Sequence, residues 1–146
     1  MVTSLVRLIP LLMLMLVVGC ASRAPAPEVV PVVLPEGSPA IGLLDNARQA
    51  RSRGDTGAAG RYLERALMLA PGQPILFREL ADLRLEEGDP VAAEGLALRA
   101  LHRAPDNPDW QAGVWEMIAL ARRRQGDQVG AQQARDRAAA LLGGRD

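Results

Sequence analysis

Three patterns of apolar and polar positions follow one another along the chain. From Leu8 to Val18 the apolar residues run together, behind one charge at Arg7 and ahead of Gly19-Cys20. From Ala21 to Pro39 they are broken up by five prolines, at 25, 27, 31, 35 and 39. Beyond Pro39 they recur at helical intervals, as in Phe77, Leu80, Ala81 and Leu83, with charged residues between them. The first run is too short to cross a bilayer, which takes about 20 apolar residues, so it predicts the core of an export signal over 1–19. The second predicts neither helix nor central strand, because proline fixes φ, lacks an N–H and biases its predecessor towards extended geometry. It is expected to be a disordered, semi-extended linker over 20–39, roughly 60 Å long at about 3.1 Å per residue. Val29, Val30, Val32 and Val33 either belong to that tether or lie along the folded domain. The third pattern predicts amphipathic helices over 40–146 and an all-α domain.

The helical part repeats. Gly-Asp occurs at 54–55, 88–89 and 126–127, and the pairs Gly54 and Gly88, Ala59 and Ala93, Ala66 and Ala100, and Pro71 and Pro105 are each 34 residues apart. Each Gly-Asp has the chemistry of a helix stop and restart: Gly accepts the left-handed conformation past a helix end, and Asp caps the next helix. Pro90 after Asp89 fits the first position of that helix, and Ala104-Pro105-Asp106-Asn107-Pro108 ends it. Ala93, Ala97 and Ala100 form a thin seam on which another helix can pack closely. These spacings and residues resemble the tetratricopeptide repeat, over 40–73, 74–107 and, after a four-residue insertion, 112–145. The resemblance implies three stacked helical hairpins in a right-handed superhelix. Trp115 falls at the repeat's packing aromatic and His102 at an outward position. Asn46 stands where a Leu usually packs, and Gly143 where a proline is expected. Trp110 lies in the insertion, and both surface contact and loop packing are open to it.

Composition narrows the function. Seventeen basic residues balance seventeen acidic ones, every base is Arg, and removal of the leader with Arg7 leaves 16 against 17, a net of −1. A near-neutral chain has no overall field to draw in nucleic acid. Ala occurs twenty-four times against four aromatics, which excludes a β-sandwich or barrel rich in branched and aromatic residues. One Cys and one His exclude a Cys/His zinc site, a disulfide framework and a Cys–His catalytic pair. Without Lys there is no phosphate-binding loop of the Walker type. After the leader the serines are Ser22, Ser38 and Ser52, none in a nucleophile elbow, and Glu86 and Glu87 diverge at a helix end. The expectation is a binding protein, not an enzyme, with no cofactor, no metal, no small-molecule substrate and no nucleic acid.

Val17-Val18-Gly19-Cys20 resembles the lipobox of bacterial lipoproteins, with Val17 in place of the commoner Leu. The resemblance implies that Cys20 becomes the N-terminus and carries acyl chains, palmitate among them, and that Ala21 directs the protein to the periplasmic face of the outer membrane. For the repeats, the resemblance implies a groove built from the first helix of each unit. Its positions here are Ile41, Leu44, Arg48, Arg51 and Ser52, then Ile75, Arg78, Asp82, Leu85 and Glu86, then Gly113, Glu116, Leu120, Arg123 and Arg124. Of these, Arg48, Arg51, Arg78, Asp82, Leu85 and Arg123 are the expected partner contacts, since Arg combines bidentate hydrogen bonding with stacking. Arg78 and Asp82, four residues apart, could instead satisfy each other. The basic and amide pattern that clamps a C-terminal carboxylate is absent. A short tether carrying a compact repeat head is similar to the outer-membrane lipoproteins that activate class A penicillin-binding proteins, the bifunctional peptidoglycan synthases. The same build would serve a pilotin or other assembly factor of a secretion or pilus complex, or a protease adaptor. A self-associating structural protein, joined through the exposed last helix with Leu141 and Leu142, is the remaining alternative.

Overall fold

The computed structural model describes residues 31–144. The expected leader, Cys20, Val29 and Val30 lie outside these residues. Six helices follow in order: α1 (Ile41–Ser52), α2 (Thr56–Leu69), α3 (Pro74–Glu86), α4 (Pro90–His102), α5 (Pro108–Arg124) and α6 (Gln128–Gly143). They pair as the hairpins α1–α2, α3–α4 and α5–α6, joined into one stack by α2 against α3 and α4 against α5, while α3 also touches α5. Among the described residues there is no strand.

Each hairpin turns on the same device. Gly54, Gly88 and Gly126 have φ of 78°, 80° and 86°, in the left-handed region where a Cβ is disfavoured. The following Asp N–H reaches back to a carbonyl five residues earlier, as in Asp89 to Arg84 (2.8 Å), while the Gly N–H reaches three residues back, as in Gly88 to Leu85 (3.2 Å). The same Asp then caps the next helix: its Oδ1 accepts from the backbone N of Ala58 (2.8 Å), Ala92 (3.0 Å) and Gly130 (2.8 Å) in the three repeats. Proline opens α3, α4 and α5, where its missing N–H leaves no bond unmade.

The second helices bury mostly small residues, with Leu63 of α2 the exception. In α4 these are Ala93, Ala97 and Ala100, and in α6 they are Gly130, Ala131, Ala134 and Ala138. The bulk comes from the first helices, above all α3, whose two faces serve two core clusters. Ile75, Leu76, Leu80 and Leu83 join the α1–α2 cluster; Phe77, Ala81 and Leu85 join the cluster with α4 and α5. Asn46 is exposed, and α1 packs through Leu44, Ala47 and Ala50 instead.

The structure decides one alternative that the sequence leaves open and departs from the sequence reading at one other point. The described end of the Pro-rich stretch docks: Leu34 is 7 % exposed and Val32 packs against both clusters, whereas Val33 points to solvent. The folded body therefore begins before residue 40. The four residues read as an insertion are instead the first turn of α5, begun by Asn107, whose Oδ1 accepts from Trp110 N at 3.0 Å. Four residues are close to one helical turn, so Trp110 stays in phase with Val114, Met117 and Ala121 and is buried among them.

The seam and the turn can be tested by unfolding in urea. Ala97→Leu is expected to overpack the α3–α4 contact and lose about 1–3 kcal/mol. Asp89→Ala removes one cap and is expected to lose about 1 kcal/mol.

Candidate functional site

The first helices of the three hairpins carry the residues expected to meet a partner, and the structure divides them into two parts. Between α1 and α3 the charges are consumed within the chain. Arg48 Nε donates to Glu79 Oε1 at 2.9 Å, and Arg51 Nε donates to the two carboxylate oxygens of Glu86 at 2.8 and 2.9 Å. Arg51 also lies 3.6 Å from Glu79 and 3.5 Å from Asp82. Its guanidinium is held above the ordinary arginine range, chiefly by the hydrogen bond to Glu86, with burial opposing and the three carboxylate charges assisting. It is thus a fixed cation at any accessible pH. Leu44 and Ile75, also expected in the groove, are buried in the core, and Ile41 is at the surface.

Between α3 and α5 a groove of about 410 Å³ remains open. Arg78, Asp82 and Leu85 line it from α3; Gly113, Glu116, Leu120 and Arg123 line it from α5. All seven were expected from the repeat register. Met117 of α5 and Arg135 of α6 also line it. Met117 follows Gly113 by one helical turn on the same face, which the sequence displays. Arg135 sits on a second helix, so a register of first helices does not find it.

Arg78 does not spend itself on Asp82. Its guanidinium carbon stands 5.7 Å from the centre of the Trp110 ring, while Asp82 takes Arg51. Trp110, for which surface contact and loop packing were both open, is 7 % exposed and part of the core under the groove, with its Nε1 finding no acceptor. Trp115 is half-buried, with Arg137 over its ring at 4.6 Å. Arg124 donates to the carbonyl of Leu85, tying α5 to the end of α3, and Arg122 Nε donates to Glu94 at 2.7 Å. His102 is exposed on α4. The ion pairs of the described residues engage Arg48, Arg51, Arg84 and Arg122. In the groove, Arg123, Arg135 and Glu116 make no ion pair among the described residues.

No group of three or more His, Cys, Asp or Glu is placed to hold a metal ion, and no helix is long and apolar enough to cross a membrane, among the described residues. What this arrangement can do is hold a chain that brings apolar side chains and charge together.

Comparison with known proteins agrees with that geometry. A tetratricopeptide repeat family model matches residues 50–114. The globular C-terminal domain of LpoP from P. aeruginosa is 42 % identical, over 73 % of this chain and 99 % of that one, with a TM-score of 0.68. The N-terminal domain of stress-induced protein-1 from C. elegans has a TM-score of 0.67 at 20 % identity, over 73 % of this chain and 85 % of that one, a likeness of fold. Cellulose synthase operon protein C of Xanthomonas axonopodis pv. citri is 40 % identical over 83 residues, which is 57 % of this chain but 5 % of that protein's length.

The division of the surface predicts a division of effects. Arg51→Ala is expected to lower stability by about 1 kcal/mol, since three carboxylates lose their shared cation. Arg123→Ala should stay within about 0.5 kcal/mol of the parent; thermal unfolding of the two variants side by side is the check.

Proposed function

The chain belongs to the tetratricopeptide repeat family, alongside the globular domain of LpoP, and from that premise we propose that it is a lipid-anchored periplasmic adaptor that activates a class A penicillin-binding protein. The observation that carries the proposal is the 42 % identity with the LpoP domain over 99 % of that domain's length. It joins the sequence's own resemblance to lipoprotein activators of peptidoglycan synthases. The groove between α3 and α5 supports a non-catalytic role, because it offers apolar contact and uncompensated charge in a site of the size a peptide segment fills.

In this reading Cys20 carries the acyl chains on the inner leaflet of the outer membrane, and the Pro-rich linker carries the head towards a synthase in the opposite membrane. Two acyl signals suffice for stable anchoring, as each buried methylene contributes about 0.8 kcal/mol. The repeats then dock on the synthase. Binding shifts it towards its active state only as far as the head prefers that state over the resting one.

Adding the full-length lipidated protein in detergent to the class A synthase of the same cell should raise the rate of glycan polymerisation several-fold, read from labelled lipid-linked precursor. Arg123→Glu should weaken the head's affinity for the synthase about tenfold, near 1.4 kcal/mol, so that stimulation at limiting head concentration falls, with the helical circular dichroism unchanged. Arg48 and Arg51 are unsuitable for this test, because reversing them breaks ion pairs inside the head. An unchanged rate with the parent protein would refute the activator role. Separately, labelled palmitate should enter the parent and not Cys20→Ser.

A further inference from the structure

Resting on the groove as the docking site, we propose that its occupant is an acidic segment of the partner protein carrying aliphatic side chains, held by α3, α5 and α6 and not by α1. Charge is the first argument. Arg78, Arg123 and Arg135 line the groove against Asp82 and Glu116. Asp82 lies 3.5 Å from Arg51, which it shares with Glu79 and Glu86, and Arg78 rests on the Trp110 ring, a contact that leaves its positive charge uncompensated. The lining is three guanidinium groups against two carboxylates, and Arg51 meets part of the Asp82 charge from outside the groove, so the surplus left to a ligand is positive. A guanidinium presents a planar fork that takes a carboxylate on two donors, so an acidic side chain is the complement these residues select.

The apolar half of the groove sets the rest of the ligand. Leu85 and Met117 are only 5 % and 8 % exposed and form an apolar floor, so the apolar surface a ligand can still cover is mainly that of half-buried Leu120. Met117 adapts its unbranched thioether to different shapes, which suits aliphatic side chains of varied form.

Gly113 is the second argument. It stands in the middle of α5, where Gly is about 1 kcal/mol less favourable than Ala. A Cβ there would meet Arg78 Nη2 at 3.6 Å, an ordinary contact, so packing does not demand glycine. What glycine provides is open floor between Arg78 and Leu120. The α1 side offers no equivalent, because Arg48 and Arg51 are bound to Glu79 and Glu86 across the gap.

The full-length protein in detergent micelles is titrated with a short peptide of alternating Leu and Asp pairs, carrying a neutral dye, and with its Lys-for-Asp twin, read by fluorescence anisotropy at low salt. The acidic peptide should bind at least about tenfold more tightly than the twin, and Arg123→Glu should remove about tenfold of that affinity. Gly113→Ala should weaken binding several-fold while raising the thermal midpoint by about 3 °C, so the loss is not one of folding. Gly95→Ala, at an exposed position of α4, should raise the midpoint with binding unchanged, and Arg48→Ala should bind within about twofold of the parent. No binding of the acidic peptide, equal binding of the twin, or unchanged affinity in Arg123→Glu overturns the proposal. Capture of the class A synthase is measured in parallel. Capture without peptide binding would defeat the acidic occupant and leave the activator reading standing; peptide binding without capture would do the reverse.

Discussion

Close approach between helices, permitted by alanine, is the constraint on which the rest of this molecule depends. Fifteen of the twenty-eight buried hydrophobic residues among those described are alanine. In α4 the buried face is alanine alone. Such a seam brings helix axes together but removes little apolar surface from water, so the larger side chains must come from the opposite helix of each pair. That burden falls on α3 and α5, each with seven buried residues. The hairpin turns follow from the same demand, since a Gly-Asp pair reverses the chain in the fewest residues while satisfying both helix ends.

The asymmetry of the surface follows from the stack. Second helices, narrow and alanine-faced, fill in behind; first helices stand side by side and expose long side chains to one another. Whether such a face opens or closes is decided by charge spacing. Arg48, Arg51, Glu79 and Glu86 meet across α1 and α3 and close it. Across α3 and α5 the extra turn of α5 places Trp110 beneath Arg78, and Gly113 removes a side chain from the middle of the gap, so it stays open.

Much of this was legible in residues alone because the repeat is periodic. The 34-residue spacing, the Gly-Asp turns and the seven groove positions on α3 and α5 all follow from register, and the structure brings those seven together. Pairing between helices is another matter. Arg48 and Glu79 are 31 residues apart and Arg51 and Glu86 are 35; neither interval is a feature of one helix, so nothing local separates a paired arginine from an unpaired one. Trp110 was misplaced for a different reason. Aligning repeats treats four added residues as a loop, although Asn107-Pro108 is a cap and first helical position of the kind seen at Asp89-Pro90, and the apolar spacing from Trp110 to Val114 continues it. The docking of Leu34 had no such signal, because prolines around it break any period.

The absence of lysine takes on a physical meaning at these sites. Arg103 lies over Phe77 at 4.9 Å and Arg137 over Trp115 at 4.6 Å, each covering an aromatic edge of the core. Arg51 reaches three carboxylates from one planar group, and Arg124 ties two first helices through a backbone carbonyl. A lysine ammonium, a compact and strongly hydrated charge, would neither lie flat on a ring nor present two parallel donors. Zero net charge therefore conceals a division of labour. Most of these arginines are held by a carboxylate, a carbonyl or a ring of the same chain. Arg123 and Arg135, on the open groove, make no ion pair among the described residues, and that sets them apart from Arg48 and Arg51, whose charges are met within the chain.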